Sequence, residues 1–532
     1  GQNLLTIVLN QKPQWLSIMA AAIESLLREI AGSEAPIEQL KALRTAVWAL
    51  PMSNLRETFS APHLGRLFSL LNTNDKEQVE VCVEVLDRFL QVLGPAELVR
   101  DCRSELRNGL IHPDGSVKVL ALAQIGRVVG HAEGVAELLT CDEILRDVIH
   151  CMGAERIGVA KEVQYLTPYC REAIAALRKL STTATGLDTL FRSNLLKELK
   201  DVMAISDVVR YRVYELVVEI SSMSPVSLGY CANCSFVSQL LEELTGDDIL
   251  VRATAIEMVT SLAQSQHGRQ YLAQQGIMDK ISNMIISAES DPFSSFYLPG
   301  LVKFFGNLAI VESPQQVCES YPAFLSMVFA MAMSSDQTQI PVSLDTLGVL
   351  GSTVEGKQVL HKTGEKIQSV LKRMSQLARD GAIELRVRSL EAIAQLLSLP
   401  VEQQTEDLLL LTESWCHCWS SRPMQMLSNI STQPFPELHC SALRVFTALA
   451  SQMWGQRLMK ATPGFVEWLV DRSVRTGKEA KECKFELVGA LVSSASTQQV
   501  FGGPAYLRLK TYQKEGPYYV NAVASVTTEG VD

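Results

Sequence analysis

Asp248-Ile-Leu-Val251-Arg252 opens a run in which apolar residues return every three or four positions, and the same opening occurs at Asp114-Gly-Ser-Val117-Lys118, Asp207-Val-Val-Arg210 and Asp380-Gly-Ala-Ile-Glu-Leu385-Arg386. In each, a polar turn carries an aspartate and an apolar helix with an early basic residue follows. Looser copies start at Asp75 and Asp336. The intervals are 39 from Asp75 to Asp114, 41 from Asp207 to Asp248 and 44 from Asp336 to Asp380; the 93 from Asp114 to Asp207 and the 88 from Asp248 to Asp336 each hold two units. A period of about 40 to 47 residues is that of HEAT and armadillo repeats. The aspartate suits the N-terminus of a helix, where backbone N–H groups lack partners. The aliphatic residues behind it bury only against neighbouring units, because one such unit cannot close a core alone.

The three-and-four spacing extends to Ile37, Leu40, Leu43, Val47 and Leu50 and to Leu385, Leu390, Ile393, Leu396 and Leu397, and no alternating strand pattern bounded by hairpin turns interrupts it. The prediction is an all-α, HEAT/armadillo-like, right-handed superhelical solenoid over residues 19–501. Residues 1–18 are expected to be a disordered N-terminal extension and residues 502–532 a C-terminal tail with a frayed polar end. A glycine followed by a short apolar helix recurs at Gly134, Gly186, Gly268, Gly356 and Gly455, and reads as a helix stop that lets the next helix leave at a steep angle. Val163 to Arg171 places Tyr165, Pro168 and Tyr169 inside a helical run from Val159 to Leu180; it is expected to be a surface loop or kink without a role in binding.

Composition narrows the function classes. With 532 residues, 47% hydrophobic and 20% charged, the chain buries a large core and is too long for one compact one. A net charge of −10 argues against nucleic acid and against anionic membrane surfaces. No apolar run approaches the roughly 18 residues of a membrane span; Phe324 to Met333 is short and contains Ser326. Leu4 to Leu9 lacks the preceding positive charge and following small residues of a signal peptide. Twelve cysteines, far below disulfide-scaffold density, fit a cytoplasmic protein that can also be nuclear.

Candidate chemistry is sparse. Gly351-Ser-Thr-Val-Glu-Gly356-Lys357-Gln358 has phosphate-loop spacing, but Gln358 replaces the magnesium-binding hydroxyl and the residues before it read as helix. Cys231-Ala-Asn-Cys234 is half of a zinc or dithiol site without its other half. Cys416-His417-Cys418 with His439-Cys440 matches no zinc module, and Trp415 and Trp419 beside it suggest a packed helix. Eight scattered histidines form no catalytic motif. The sequence therefore predicts no catalytic residues, no metal and no cofactor.

A protein-binding surface is the expectation instead. In HEAT-type stacks the second helix of each pair lines the concave face, and its polar positions stay free once Val, Ile and Leu have turned inward. That selects Tyr211, Tyr214 and Glu215 from one helix, Thr254, Glu257 and Ser261 from the next, and Lys303 and Asn307 from a third. Tyrosine suits such a role because it buries a large rigid area at small entropic cost.

Several segments are too particular to be repeat consensus: Gly109-Leu-Ile-His-Pro-Asp-Gly-Ser-Val-Lys118, Val209-Arg-Tyr-Arg-Val-Tyr-Glu-Leu216, His267-Gly-Arg-Gln-Tyr-Leu272, Asp291-Pro-Phe-Ser-Ser-Phe-Tyr-Leu-Pro-Gly300 with Lys303-Phe-Phe-Gly-Asn-Leu-Ala309, Gln433-Pro-Phe-Pro-Glu-Leu-His-Cys440, and Tyr506-Leu-Arg-Leu509 with Glu515-Gly-Pro-Tyr-Tyr519. With these the chain resembles the family of 26S proteasome non-ATPase regulatory subunit 5. Met19-Ala-Ala-Ala22 looks like the family's usual start, and Val163 to Arg171 looks like an insertion. The resemblance implies a chaperone for assembly of the proteasome base. It would hold the C-terminal domain of one ATPase, regulatory subunit 7, together with other base subunits of the same intermediate, and leave before the particle is complete. A generic scaffold or transport adaptor of the same fold is the alternative; a transport receptor should show rows of Trp and Asn, whereas Asn307 stands alone.

Overall fold

The computed structural model describes residues 2–153 and 167–521, and among them it contains helices and turns but no strand. Two compact units divide the chain: residues 1–246 with 265–271, and residues 247–264 with 272–532.

In the first unit, Ile37–Ala49, Lys76–Leu90, Gly115–Val128, Pro168–Leu180 and Asp207–Ser221 pack each on the next. They start 39, 39, 53 and 39 residues apart. From Lys76–Leu90 on, each is the last helix of a triplet, as in Ala184–Phe191, Leu195–Met203, Asp207–Ser221, so the unit is armadillo-like. The single long interval contains residues 154–166, which lie outside the described residues. In the second unit, Ile249–Leu262, Leu298–Val311, Ile340–Gly351, Ile383–Leu397, Pro436–Ala450 and Lys478–Ser493 again pack in sequence, at intervals of 49, 42, 43, 53 and 42. These third helices carry the core: Leu298–Val311 alone buries Leu301, Val302, Phe304, Phe305, Leu308 and Ala309. Phe305 meets Phe304, Tyr321 and Phe324 at ring-centroid distances of 5.4, 4.9 and 5.6 Å.

The helix openings behave as expected at three positions. Asp75 accepts from the N–H groups of Glu77 and Gln78, Asp114 from Ser116, and Asp248 from Leu250 and Val251. Elsewhere the cap differs. Ser206 caps Asp207–Ser221, which frees Asp207 to pair with Arg210 at 2.6 Å. Asp336 accepts from Thr338 in the turn before Ile340, and Asp380 ends the preceding helix while Ala382 opens the next without a side-chain cap.

The recurrent glycines are not helix stops. Gly134, Gly186, Gly356 and Gly455 lie in the first turn of their short helices, and none has a positive φ. A Cβ would stand 2.4, 1.9, 1.6 and 2.2 Å from the carbonyl oxygens of Val128, Leu180, Leu350 and Leu449, in the last turn of the preceding helix. What each turn demands is close backbone approach rather than conformational freedom.

Three boundaries are corrected. The first helix, Gln2–Gly32, takes in residues 2–18 of the segment expected to be an extension. The helical stack also continues past Phe501: Gly503–Glu515 packs on Lys478–Ser493 and buries Leu509 and Tyr512. Arg472 holds it there, donating to the Tyr512 carbonyl at 3.0 Å and pairing with Glu515 at 3.5 Å. The frayed end expected at Thr527 to Asp532 lies outside the described residues. Within Val163 to Arg171, residues 163–166 also lie outside them, but Thr167 to Arg171 is no excursion. Thr167 caps Pro168–Leu180, Pro168 occupies the first helical position where its missing N–H costs nothing, and Tyr169 and Cys170 are buried.

Candidate binding surface

Polar positions on successive third helices form a candidate face in each unit. In the first unit, Tyr211, Glu215 and Glu219 share one face of Asp207–Ser221 at four-residue spacing and are half-buried. Arg210 lies 5.7 Å from the Tyr211 ring centroid. Arg178 of the preceding third helix stands 3.9 Å from Glu219. Burial, and then the Glu215 charge, raise the Glu219 carboxyl above its usual range against the pull of Arg178. The same kind of crossing occurs earlier, where Lys41 meets Glu77 at 2.7 Å and Arg44 meets Glu84 at 3.7 Å.

Tyr214 does not belong to this face. It points inward and is fully buried. Burial and then the neighbouring Glu243 carboxylate push its ionisation far up. Glu243 in turn pairs with Arg210 at 2.8 Å. A tyrosine three residues from Tyr211 lies on the packed side of the helix, four residues on lies Glu215 on the open side, and the sequence pattern did not separate the two.

In the second unit, Thr254, Glu257 and Ser261 follow one another along one face of Ile249–Leu262, with Glu257 and Ser261 exposed and Thr254 half-buried. Thr254 and Ser261 donate to carbonyls one turn back, at Leu250 (3.0 Å) and Glu257 (3.3 Å). On Leu298–Val311, Lys303 is exposed and Asn307 half-buried one turn on.

Lys303 begins a ladder of charges that the sequence reading did not select. Asp345 on the next third helix pairs with Arg388 on the one after, and Arg388 also reaches Glu384 at 3.5 Å. Burial raises the Asp345 carboxyl above its usual range, and Arg388 and then Lys303 pull against that. Arg444 carries the ladder on, reaching Glu391 at 3.6 Å and Glu479 at 3.1 Å. The signal was available: Lys303, Asp345 and Arg388 are charged positions in apolar helices, 42 and 43 residues apart. Such exposed pairs contribute about 0 to 1 kcal/mol each. Their value is a surface whose charges are fixed in place, which favours selection among partners over stability.

Chemistry of other kinds finds no site. Lys357 of the phosphate-loop lookalike is 1% exposed and donates to the carbonyls of Gly351 and, at 3.3 Å, Gln395. Burial depresses its pKa to about 8. All twelve cysteines are free. Cys231 and Cys234 point at different carbonyls, those of Val217 and Phe191. His439 is bonded to the Ser431 carbonyl at 2.8 Å. Among the described residues no three His, Cys, Asp or Glu side chains converge as metal ligands, and no helix is long and apolar enough to cross a membrane.

Comparison with known proteins places this architecture. Residues 19–532 match the family profile described as proteasome non-ATPase 26S subunit. The human 26S proteasome non-ATPase regulatory subunit 5 is 54% identical over 514 residues, covering 97% of this chain and all of that protein, and the mouse protein is 54% identical over the same span. The Drosophila melanogaster protein of the same name is 25% identical, covering 98% of this chain and 96% of its own.

Proposed function

The chain belongs to the 26S proteasome non-ATPase regulatory subunit 5 family, and we propose that it acts as a chaperone in assembly of the proteasome base, holding the C-terminal domain of regulatory subunit 7 and leaving before the particle is complete. The observation that carries this reading is the run of third helices, whose exposed polar positions repeat from triplet to triplet while their apolar sides fill the core. Such a surface suits a folded domain, which offers many shallow polar contacts at once, better than a small substrate, which needs an enclosed cavity. Thr254, Glu257, Ser261, Lys303 and Asn307 are the contact residues on the face of the second unit, and Tyr211 and Glu215 those on a face of the first unit taken by itself. No cofactor or metal takes part, and the chain binds neither nucleic acid nor membrane. A cytoplasmic location, extending to the nucleus, follows from the site of the process.

The test is retention of the six base ATPase C-terminal domains, each presented separately to the immobilised full chain. Selective retention of the regulatory subunit 7 domain, with the chain absent from purified complete 26S particles, supports the proposal. Equal retention of all six, or stoichiometric presence of the chain in complete particles, refutes it.

A further inference from the structure

An open cavity of about 590 Å³ lies within the second unit, and no aspartate or glutamate lines it. This is unusual in a chain with a net charge of −10. Lys372 and Arg379, both exposed, come to it from one face of Glu365–Asp380, and Arg422 from the turn before Pro423–Ser431. Arg386 forms part of the wall with 8% of its surface exposed. Its Nε donates to the Ala378 carbonyl at 2.8 Å, while its buried Nη2 has no hydrogen-bond partner. The buried Trp419, also in the wall, has an indole Nε1 without a partner. Two buried unpaired donors in one wall cost stability, and both are donors rather than acceptors.

We infer that this cavity binds an acidic polypeptide segment, whose carboxylates are received by Arg379, Lys372 and Arg422, with the buried Arg386 adding its positive charge from within the wall. Guanidinium forks match carboxylates in shape and charge. The remaining wall selects polypeptide over a free phosphate. Gln425, Asn429 and Gln433 follow one another at four-residue spacing along Pro423–Ser431 and just beyond it. Each amide both donates and accepts, as a peptide backbone does, whereas phosphate offers no donor to the amide oxygens of Asn429 and Gln433; that of Gln425 already accepts from Arg422 at 3.5 Å. The site is distinct from the third-helix face and stands whichever partner that face holds.

Binding of a dye-labelled hexaglutamate peptide to the full chain, read by fluorescence anisotropy, tests this, with hexalysine as the control and inorganic phosphate as the competitor. The expected result is binding that weakens with salt. The double variant Lys372→Glu with Arg379→Glu should reduce it by about tenfold or more, through loss of charge-assisted hydrogen bonds. Both positions are exposed, so these changes leave the core intact, and the single turn variant Arg422→Glu should weaken binding in the same direction. Equal affinity in the wild type and both variants would overturn the inference. So would absence of binding, or displacement by phosphate at the peptide's own concentration, which would make the cavity a small-anion site.

Discussion

Replacing Lys357 by methionine should abolish a specific pH dependence of the second unit's stability. The lysine is buried among apolar residues with two backbone carbonyls for partners and no carboxylate, so folding holds its pKa at about 8 against the ordinary 10.5. At about 1.36 kcal/mol per pKa unit, the distance between these values corresponds to about 3 kcal/mol. The sign follows from proton counting. Below pH 8 the folded and unfolded chains both carry the proton, and the full penalty for burying the charge applies. Between pH 8 and 10.5 the unfolded chain keeps a proton that the folded chain has lost, so stability rises with pH; above 10.5 it levels off. Cysteines and tyrosines also titrate in this window, and their contribution cancels on subtracting the Lys357→Met curve from the wild-type one. Urea unfolding followed by circular dichroism at half-unit steps from pH 7 to 11 gives both curves. A wild-type advantage that grows with pH by up to about 3 kcal/mol is expected. A flat or falling difference would refute the assignment of Lys357 as a buried charge holding helix ends together.

Further predictions concern packing. Gly356→Ala should destabilise the second unit severely, because the new Cβ would stand 1.6 Å from the Leu350 carbonyl, whereas Gly229→Ala, with open space at that position inside a helix, should stabilise by about 0.5 to 1 kcal/mol; thermal melts distinguish the two. Phe305→Ala should cost about 3 to 5 kcal/mol in urea unfolding, since it empties the centre of a four-ring cluster.

The repeat was legible because it is written in local chemistry. Asp75, Asp114 and Asp248 announce their helices through side-chain caps, and the spacing of 39 residues between the first two helices follows from them. Where a nearby residue caps instead, as Ser206 does, the aspartate still marks the boundary but not the mechanism. The glycines were recognised and misassigned, because glycine required by a neighbouring carbonyl and glycine required by a left-handed turn look alike in sequence. The last helix was missed because Gly502, Pro504 and Gly516 frame a segment whose inward contacts, Leu509 and Tyr512, are only two. At the surface, polarity was a good guide for Glu257, Ser261 and Lys303 and failed for Tyr214, whose single hydroxyl does not prevent burial. The charge ladder escaped notice because its members pair across helices more than 30 residues apart, and each alone resembles an ordinary solvated charge.

The proposed function is tested most directly by calorimetric titration of the full chain with the purified C-terminal domain of regulatory subunit 7. Wild type is compared with the double variant Glu257→Arg, Lys303→Glu, both changes being at exposed positions of third helices. One-to-one binding by the wild type, weakened by about tenfold or more in a correctly folded variant, is the predicted result. Absence of binding by the wild type would contradict the proposed partner, and undiminished binding by the variant would contradict the assigned surface.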